Sequence, residues 1–173
     1  MSFDSGPPTG ATVVPGRDGA WTLIFVRELR HAPERVWAAL TDPAEIDRWA
    51  PYAASRPLAT TGDATLTMVD GAERVDLPST VLIADEPRLL EYTWGEDRLR
   101  WELESSATGT RLTLRHSSPN AGIEAQVAAG WHLCVAVLER LLAGDPVGVI
   151  RGHEARDHGW EELRAAYEKQ FAG

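Results

Sequence analysis

Apolar residues fall on alternate positions from residue 21 to residue 29. Trp21, Leu23, Phe25 and Leu29 share one parity, and Ile24 and Val26 supply apolar surface on the other. That period of two predicts a strand. His31-Ala32-Pro33 stops it, and the period changes: Val36, Trp37 and Leu40 sit three and four apart, the spacing of a short helix that Pro33 can open in its first turn. Thr41-Asp42-Pro43 is a cap-and-restart signal, so a second short helix should run to Trp49 and end before Pro51.

Period-two segments then return. Residues 64–69 alternate and are followed by the turn pair Asp70-Gly71; residues 79–84 form a further strand, with Val81 and Ile83 on one face and Pro78 at its start or at an edge. Leu90, Tyr92 and Trp94 run up to Gly95. Leu99, Trp101 and Leu103 alternate with Arg98, Arg100, Glu102 and Glu104, a pattern with one face buried and one wet. After Thr108-Gly109, Leu112, Leu114 and His116 alternate with Arg111, Thr113 and Arg115. Strands joined by short turns, without crossover helices, form an antiparallel meander. Ile123, Val127, Trp131, Cys134, Leu138 and Leu141 follow helical spacing and predict one long helix over 123–142, about 30 Å long. Gly144-Asp145-Pro146 ends it, and Trp160, Leu163, Tyr167 and Phe171 mark a tail helix whose stripe docks either on its own chain or on a second subunit. Residues 1–19 hold four glycines and three prolines and are expected to be a flexible arm. The expected layout is an arm over 1–19, a domain over 20–143 and an extension over 144–173.

A sheet with one wet face must bury the other, and the long helix is the element able to cover it. The fold class is therefore α+β: a curved antiparallel sheet wrapped around a long helix, with two short helices after the first strand. A bent sheet and a straight helix leave space between them, so a cavity is expected.

The motifs carry a specific resemblance. Val36-Trp37-Ala38-Ala39-Leu40-Thr41-Asp42-Pro43, with Trp49 after it, resembles the opening signature of the activator-of-heat-shock-protein-90-ATPase homologue family, within the START/Bet v 1-like helix-grip superfamily. Asp85-Glu86-Pro87-Arg88-Leu89-Leu90-Glu91-Tyr92-Thr93-Trp94 is similar to its middle signature, Gly109-Thr110-Arg111-Leu112-Thr113-Leu114-Arg115-His116 to its last strand, and Ala129-Gly130-Trp131 with Leu138 to its closing helix. The resemblance spans residues 21–143. It implies a helix-grip fold with a central hydrophobic cavity. Relatives bind lipids, sterols or polyketide-like molecules, and some branches are cyclases or hydroxylase components.

Charge and composition narrow the classes. The net charge is -9 and no basic run offsets it, which argues against nucleic acid. Cys134 is the single cysteine, so no internal disulfide is possible, and its apolar helical setting reads as a small buried hydrophobe. No basic start with an apolar run opens the chain, and no apolar run is long enough for a bilayer, so the cytoplasm is the expected compartment. Seven tryptophans provide large rings for a core or a pocket wall.

Candidate chemistry is sparse. His116 shares the parity of Leu112 and Leu114: it either points inward, where it could act as acid or base, or lies half solvated at the strand end. Arg27 shares the parity of Phe25; inward, it would need a carboxylate or an anionic ligand, and a bulge or strand end would turn it outward. His132 lies off the helix stripe and is expected at the surface or flank. In His153-Glu154-Ala155-Arg156-Asp157-His158 the histidines are five apart, which fails the zinc-helix spacing, so a solvated charged segment is expected. No motif calls for a cofactor or a metal. The expected activity is binding of a small hydrophobic or amphipathic molecule in a cavity drawing on Phe25, Arg27, Trp37, Met68, Val81, Tyr92, Trp101, Leu114, His116, Trp131 and Cys134, in a monomer or homodimer. The alternatives are a cyclase- or hydrolase-type enzyme using His116, and a chaperone-accessory or protein-interaction module acting through the extension.

Overall fold

Alternation of large apolar and charged side chains builds one antiparallel sheet of eight strands. They are β1 (Ala11–Pro15), β2 (Trp21–Leu29), β3 (Tyr52–Ala54), β4 (Gly62–Asp70), β5 (Glu73–Asp85), β6 (Leu89–Trp94), β7 (Asp97–Ser106) and β8 (Gly109–Ser118). Their spatial order is β1-β2-β8-β7-β6-β5-β4-β3, a meander whose first long strand returns to pair with the last. The computed structural model describes residues 4–172; the first three residues of the expected arm and the last residue of the tail lie outside the described residues.

The helices are α1 (Pro33–Thr41), α2 (Pro43–Ile46), α3 (Glu124–Leu142) and α4 (Trp160–Ala172). Pro33 opens α1, and Asp42 caps α2 by accepting from the Ala44 N–H at 3.0 Å. Leu99, Trp101 and Leu103 are buried on the inner face, beside Leu112 and Leu114 of β8. On the outer face Arg100 and Arg115 both pair with Glu102, at 3.1 and 3.0 Å. This is the helix-grip arrangement: α3 packs on β2, α1 packs on β7 and β8, and α4 covers the far side of α3. Because α3 is covered on two sides it is buried nearly all round, His132, Leu133 and Val137 included. Among the described residues, no helix is long and apolar enough to cross a membrane.

Three local expectations are corrected. Residues 11–15 of the arm form strand β1, paired with β2 from Ala11 opposite Phe25 to Pro15 opposite Trp21. Gly10 makes the approach possible: its φ is +74°, and a Cβ there would come within 2.6 Å of the Val26 carbonyl oxygen. Strand β5 starts well before Pro78, which pairs with Thr65 of β4; the β6 ladder stops short of it, so the missing N–H costs no bond on that side. Val81 and Ile83 do not share a face. The register steps from Val81 opposite Tyr92 to Ile83 opposite Glu91, a bulge that leaves Leu82 exposed and turns Ile83 outward with Glu91.

The aromatic centre of the core is Trp101, fully buried, edge-on to Trp49 at 5.9 Å and to Trp131 at 5.4 Å, with its N–H donated to the Tyr92 hydroxyl at 3.1 Å. Trp101→Ala leaves a cavity and removes one of the two side-chain hydrogen bonds of the Tyr92 hydroxyl. It is expected to cost about 3–5 kcal/mol in urea denaturation; a loss below about 1 kcal/mol would show that this centre does not hold the sheet to the helices.

Candidate functional site

A cavity of about 400 Å³ lies between the inner face of the sheet, α3 and the chain after α3. Met68 and Val69 of β4, Trp94 at the end of β6, and Val127, Gly130, Trp131 and Cys134 of α3 give it an apolar wall. Ile150, Ala155 and Trp160 close the side away from the sheet. Val75 stands at its rim, 54% exposed, so the wall opens to solvent through an apolar lip. That volume is in the range of small-molecule sites.

One end is polar, and its hydrogen bonds fix its state. Trp131 donates its indole N–H to His116 Nδ1 at 2.9 Å, and an indole nitrogen can only donate. Nδ1 therefore carries a lone pair, and the proton sits on Nε2, which donates to Asp97 Oδ2 at 2.7 Å. His116 is buried, with both ring nitrogens engaged. The same imidazole is flanked by the Trp94 and Trp131 rings, at 5.9 and 6.1 Å. Cys134 is buried and its thiol is pushed up to about 12 by burial, so it stays protonated and contributes to the wall as a hydrophobe.

Sequence parity found part of this wall. Met68, His116, Trp131 and Cys134 line the cavity. Phe25, Trp37, Val81, Tyr92, Trp101 and Leu114 do not: all are buried to within 2% and pack in the solid core. Arg27 neither lines the cavity nor is buried in the core. Sequence reasoning missed Trp94, whose inward parity was visible, together with Asp97 and Gly130, and it missed the wall supplied by residues 150–160. Among the described residues, no group of three His, Cys, Asp or Glu is placed to hold a metal ion.

The family described as Activator of Hsp90 ATPase homolog 1-like protein matches residues 30–143, well over half of the chain. The chain belongs to this family. Solved structures agree on the fold. A conserved protein of unknown function, EF2215 from Enterococcus faecalis, superposes with a TM-score of 0.71 at 14% identity, covering 92% of this chain and 89% of that one. CalU16 from Micromonospora echinospora gives 0.67 at 20% identity over 93% and 98%. An AHSA1-like protein from Aeromonas hydrophila gives 0.60 at 20% over 71% and 92%. No curated protein matches the sequence.

In this AHSA1-like chain the segments outside residues 30–143 are tied into the domain. Arg151 donates to the Ala50 and Tyr52 carbonyls at 2.8 and 2.9 Å and pairs with Asp47 at 3.1 Å. His153 bonds Asp70 at 2.8 Å, so the segment expected to be merely solvated is fastened to the end of β4. The apolar stripe of α4 is spent within its own chain: Leu163 and Tyr167 are buried.

Arg27 and His132 form a second polar cluster, away from the cavity. The Arg27 guanidinium lies 4.0 Å over the Phe25 ring and donates to the Thr9 and Val26 carbonyls, so backbone oxygens satisfy it where a carboxylate or an anionic ligand was expected. His132, expected at the surface or flank, is buried under α4 and the arm. Its Nδ1 lies 2.8 Å from the Tyr167 hydroxyl and 3.3 Å from Arg27, and its Nε2 lies 2.9 Å from the Ser5 carbonyl. Two donors at Nδ1 and a carbonyl at Nε2 assign the neutral tautomer with its proton on Nε2.

Burial, and after it the charge of Arg27, hold the His132 imidazole below its ordinary 6.5. The unfolded ring takes up a proton at its ordinary value, so the stability this cluster contributes is complete above that pH. It is lost as the pH falls through the depressed folded value. The melting temperature is expected to drop between about pH 7 and pH 5, and His132→Gln, which keeps a donor and an acceptor but cannot titrate, flattens that limb. Parallel profiles for the two proteins across this window would overturn the assignment.

Proposed function

We propose that this AHSA1-like chain is a cytoplasmic binding domain that holds a small hydrophobic or amphipathic molecule in the cavity against α3. The observation that carries the reading is the cavity itself: about 400 Å³, apolar on most of its wall, with a polar end at Asp97 and His116 and an apolar lip at Val75. The single buried thiol and acidic composition suit a reducing compartment.

Gly130 supports it independently. A glycine in the interior of a helix costs about 1 kcal/mol relative to alanine. Here a Cβ would meet no atom within 4 Å, so the space beside the backbone is left open on the pocket wall. A fold selected only for packing would fill it.

The acid–base reading paired His116 with Arg27 or a nearby acid, and of these Asp97 stands 2.7 Å from His116 on the pocket wall. Arg27 stands with His132 and Thr9, away from His116, and both nitrogens of His116 are taken by Trp131 and Asp97. The interaction-module reading rested on an unsatisfied tail stripe, and that stripe packs on its own α3.

Native mass spectrometry of gently purified protein, followed by titration with octan-1-ol read through tryptophan fluorescence, tests the proposal. Saturable binding is expected in the natural sequence. Gly130→Leu, which puts a side chain into the open space, is expected to weaken it by about tenfold or more while leaving the melting temperature equal or higher. Absence of saturable binding, or equal binding by Gly130→Leu, would overturn it.

A further inference from the structure

We infer that the ligand of this pocket carries a cationic, hydrogen-bond-donating head, such as a protonated amine, seated against Asp97. The inference rests on the binding-domain reading above and adds the chemistry of the bound molecule.

The charges on the wall decide the sign. Among the described residues it holds three carboxylates, Asp70, Glu73 and Asp97, and one guanidinium, Arg151. Arg151 is engaged away from Asp97: three of its five N–H groups donate to Ala50, Asp47 and Tyr52, and Asp47 already pairs its charge. Asp70 is paired with His153 at the exposed edge. Asp97 is different. Its carboxylate is mostly shielded from solvent, and among the described residues it accepts one side-chain hydrogen bond, from His116 Nε2 to Oδ2. His116 supplies that bond from the neutral tautomer, so the charge of Asp97 is not cancelled by its partner. A carboxylate accepts more than one hydrogen bond, and the remaining capacity of Asp97 lies at the polar end of the pocket.

The surroundings favour a cation over a neutral donor. Trp94 is the cross-strand partner of Asp97, and its ring and that of Trp131 flank the same imidazole that Asp97 accepts from. Aromatic faces beside a carboxylate attract an ammonium through the ring quadrupole as well as through charge. A carboxylate or phosphate head seated at this end would face the like charge of Asp97, in a cavity where water screens poorly. The net charge of -9 adds a long-range field of the same sign.

The test uses the full chain and three probes that share one apolar body: octylamine, octan-1-ol and octanoate, titrated at neutral pH and read by tryptophan fluorescence. Octylamine is expected to bind about tenfold or more tighter than octanoate, with octan-1-ol between them. Asp97→Asn keeps an acceptor for His116 and removes the charge; it is expected to bring octylamine binding down to the level of octan-1-ol. Gly130→Leu is expected to abolish octylamine binding, which separates pocket binding from adsorption on the acidic surface. Equal affinities across the three heads, tightest binding of octanoate, or octylamine binding unaffected by Asp97→Asn or by Gly130→Leu overturns the cationic head while the pocket reading stands. Failure of all three probes to bind overturns both.

Discussion

A straight helix cannot follow a bent sheet along its whole length, and the space this mismatch leaves is bridged here by a buried side-chain hydrogen bond. Trp131 of α3 donates to His116 of β8 across the gap between rod and sheet. A bond between two side chains fixes distance, and it also fixes the rotation of α3 about its axis. With Trp131 pointing at His116, Cys134 and Val127, one turn away on either side, are carried to the same wall, and Gly130 presents bare backbone between them. The imidazole that receives the bond is satisfied on its other nitrogen by Asp97. A buried polar pair without that third member would leave an unpartnered N–H inside the protein, at a cost of about 1–3 kcal/mol. Asp97, His116 and Trp131 therefore act as one unit that both tethers the helix and makes one end of the cavity polar.

The matched family region alone leaves that cavity unwalled on one side. The remaining wall is residues 150–160, and Arg151 is what holds them there. Its guanidinium is nearly buried and satisfies two carbonyls of the turn into β3, backbone groups that would otherwise face a covered surface without partners. The long linkage also explains why the chain around residues 144–151 can lie extended without helix or strand: its fixed points are the arginine and the contact of His153 with Asp70. Variation in such an extension changes the shape of the pocket without touching the fold beneath it, in keeping with function residing in sites grafted onto a scaffold.

Much of the fold was legible because strands with one wet face report themselves by parity. Trp21, Leu23, Phe25 and Leu29, and again Leu99, Trp101 and Leu103, are all buried, as their spacing requires. The exceptions have local causes. Parity is counted along the chain, and a bulge inserts one residue into the count, which is why Ile83 left the face of Val81. Strand β1 had no apolar alternation strong enough to announce it, since an edge strand buries little and owes its place to backbone pairing with β2. His132 sits on a flank of α3, between Arg27 of β2 and Tyr167 of α4, and a helix gives no sign in its own sequence that a distant segment will cover that flank. Arg27 followed its parity inward and met the Thr9 carbonyl of the arm and the Val26 carbonyl of its own strand, partners that no side-chain pattern encodes.

The candidate site was less legible than the fold for one physical reason: parity reports which face of the sheet a residue occupies, and not what stands opposite it. Tyr92 and Trp94 are two apart on β6 and both point inward, yet Tyr92 is sealed in the core by Tyr52 and Trp101 while Trp94 borders empty space. The difference is set by depth along the strand. Trp49, beyond α2, reaches Trp101, the cross-strand partner of Leu90, one step to the core side of Tyr92, whereas Trp94 lies one step further on, beside Asp97 at the strand end. On β8 the same step separates Leu114, packed in the core, from His116 at the pocket, and on the tryptophan strand it separates Tyr92 from Trp94 and its partner Asp97. The polar residues of the cavity thus lie two positions from a core residue on adjacent strands, His116 after Leu114 on β8 and Asp97 before Leu99 on β7, where packing no longer demands an apolar side chain.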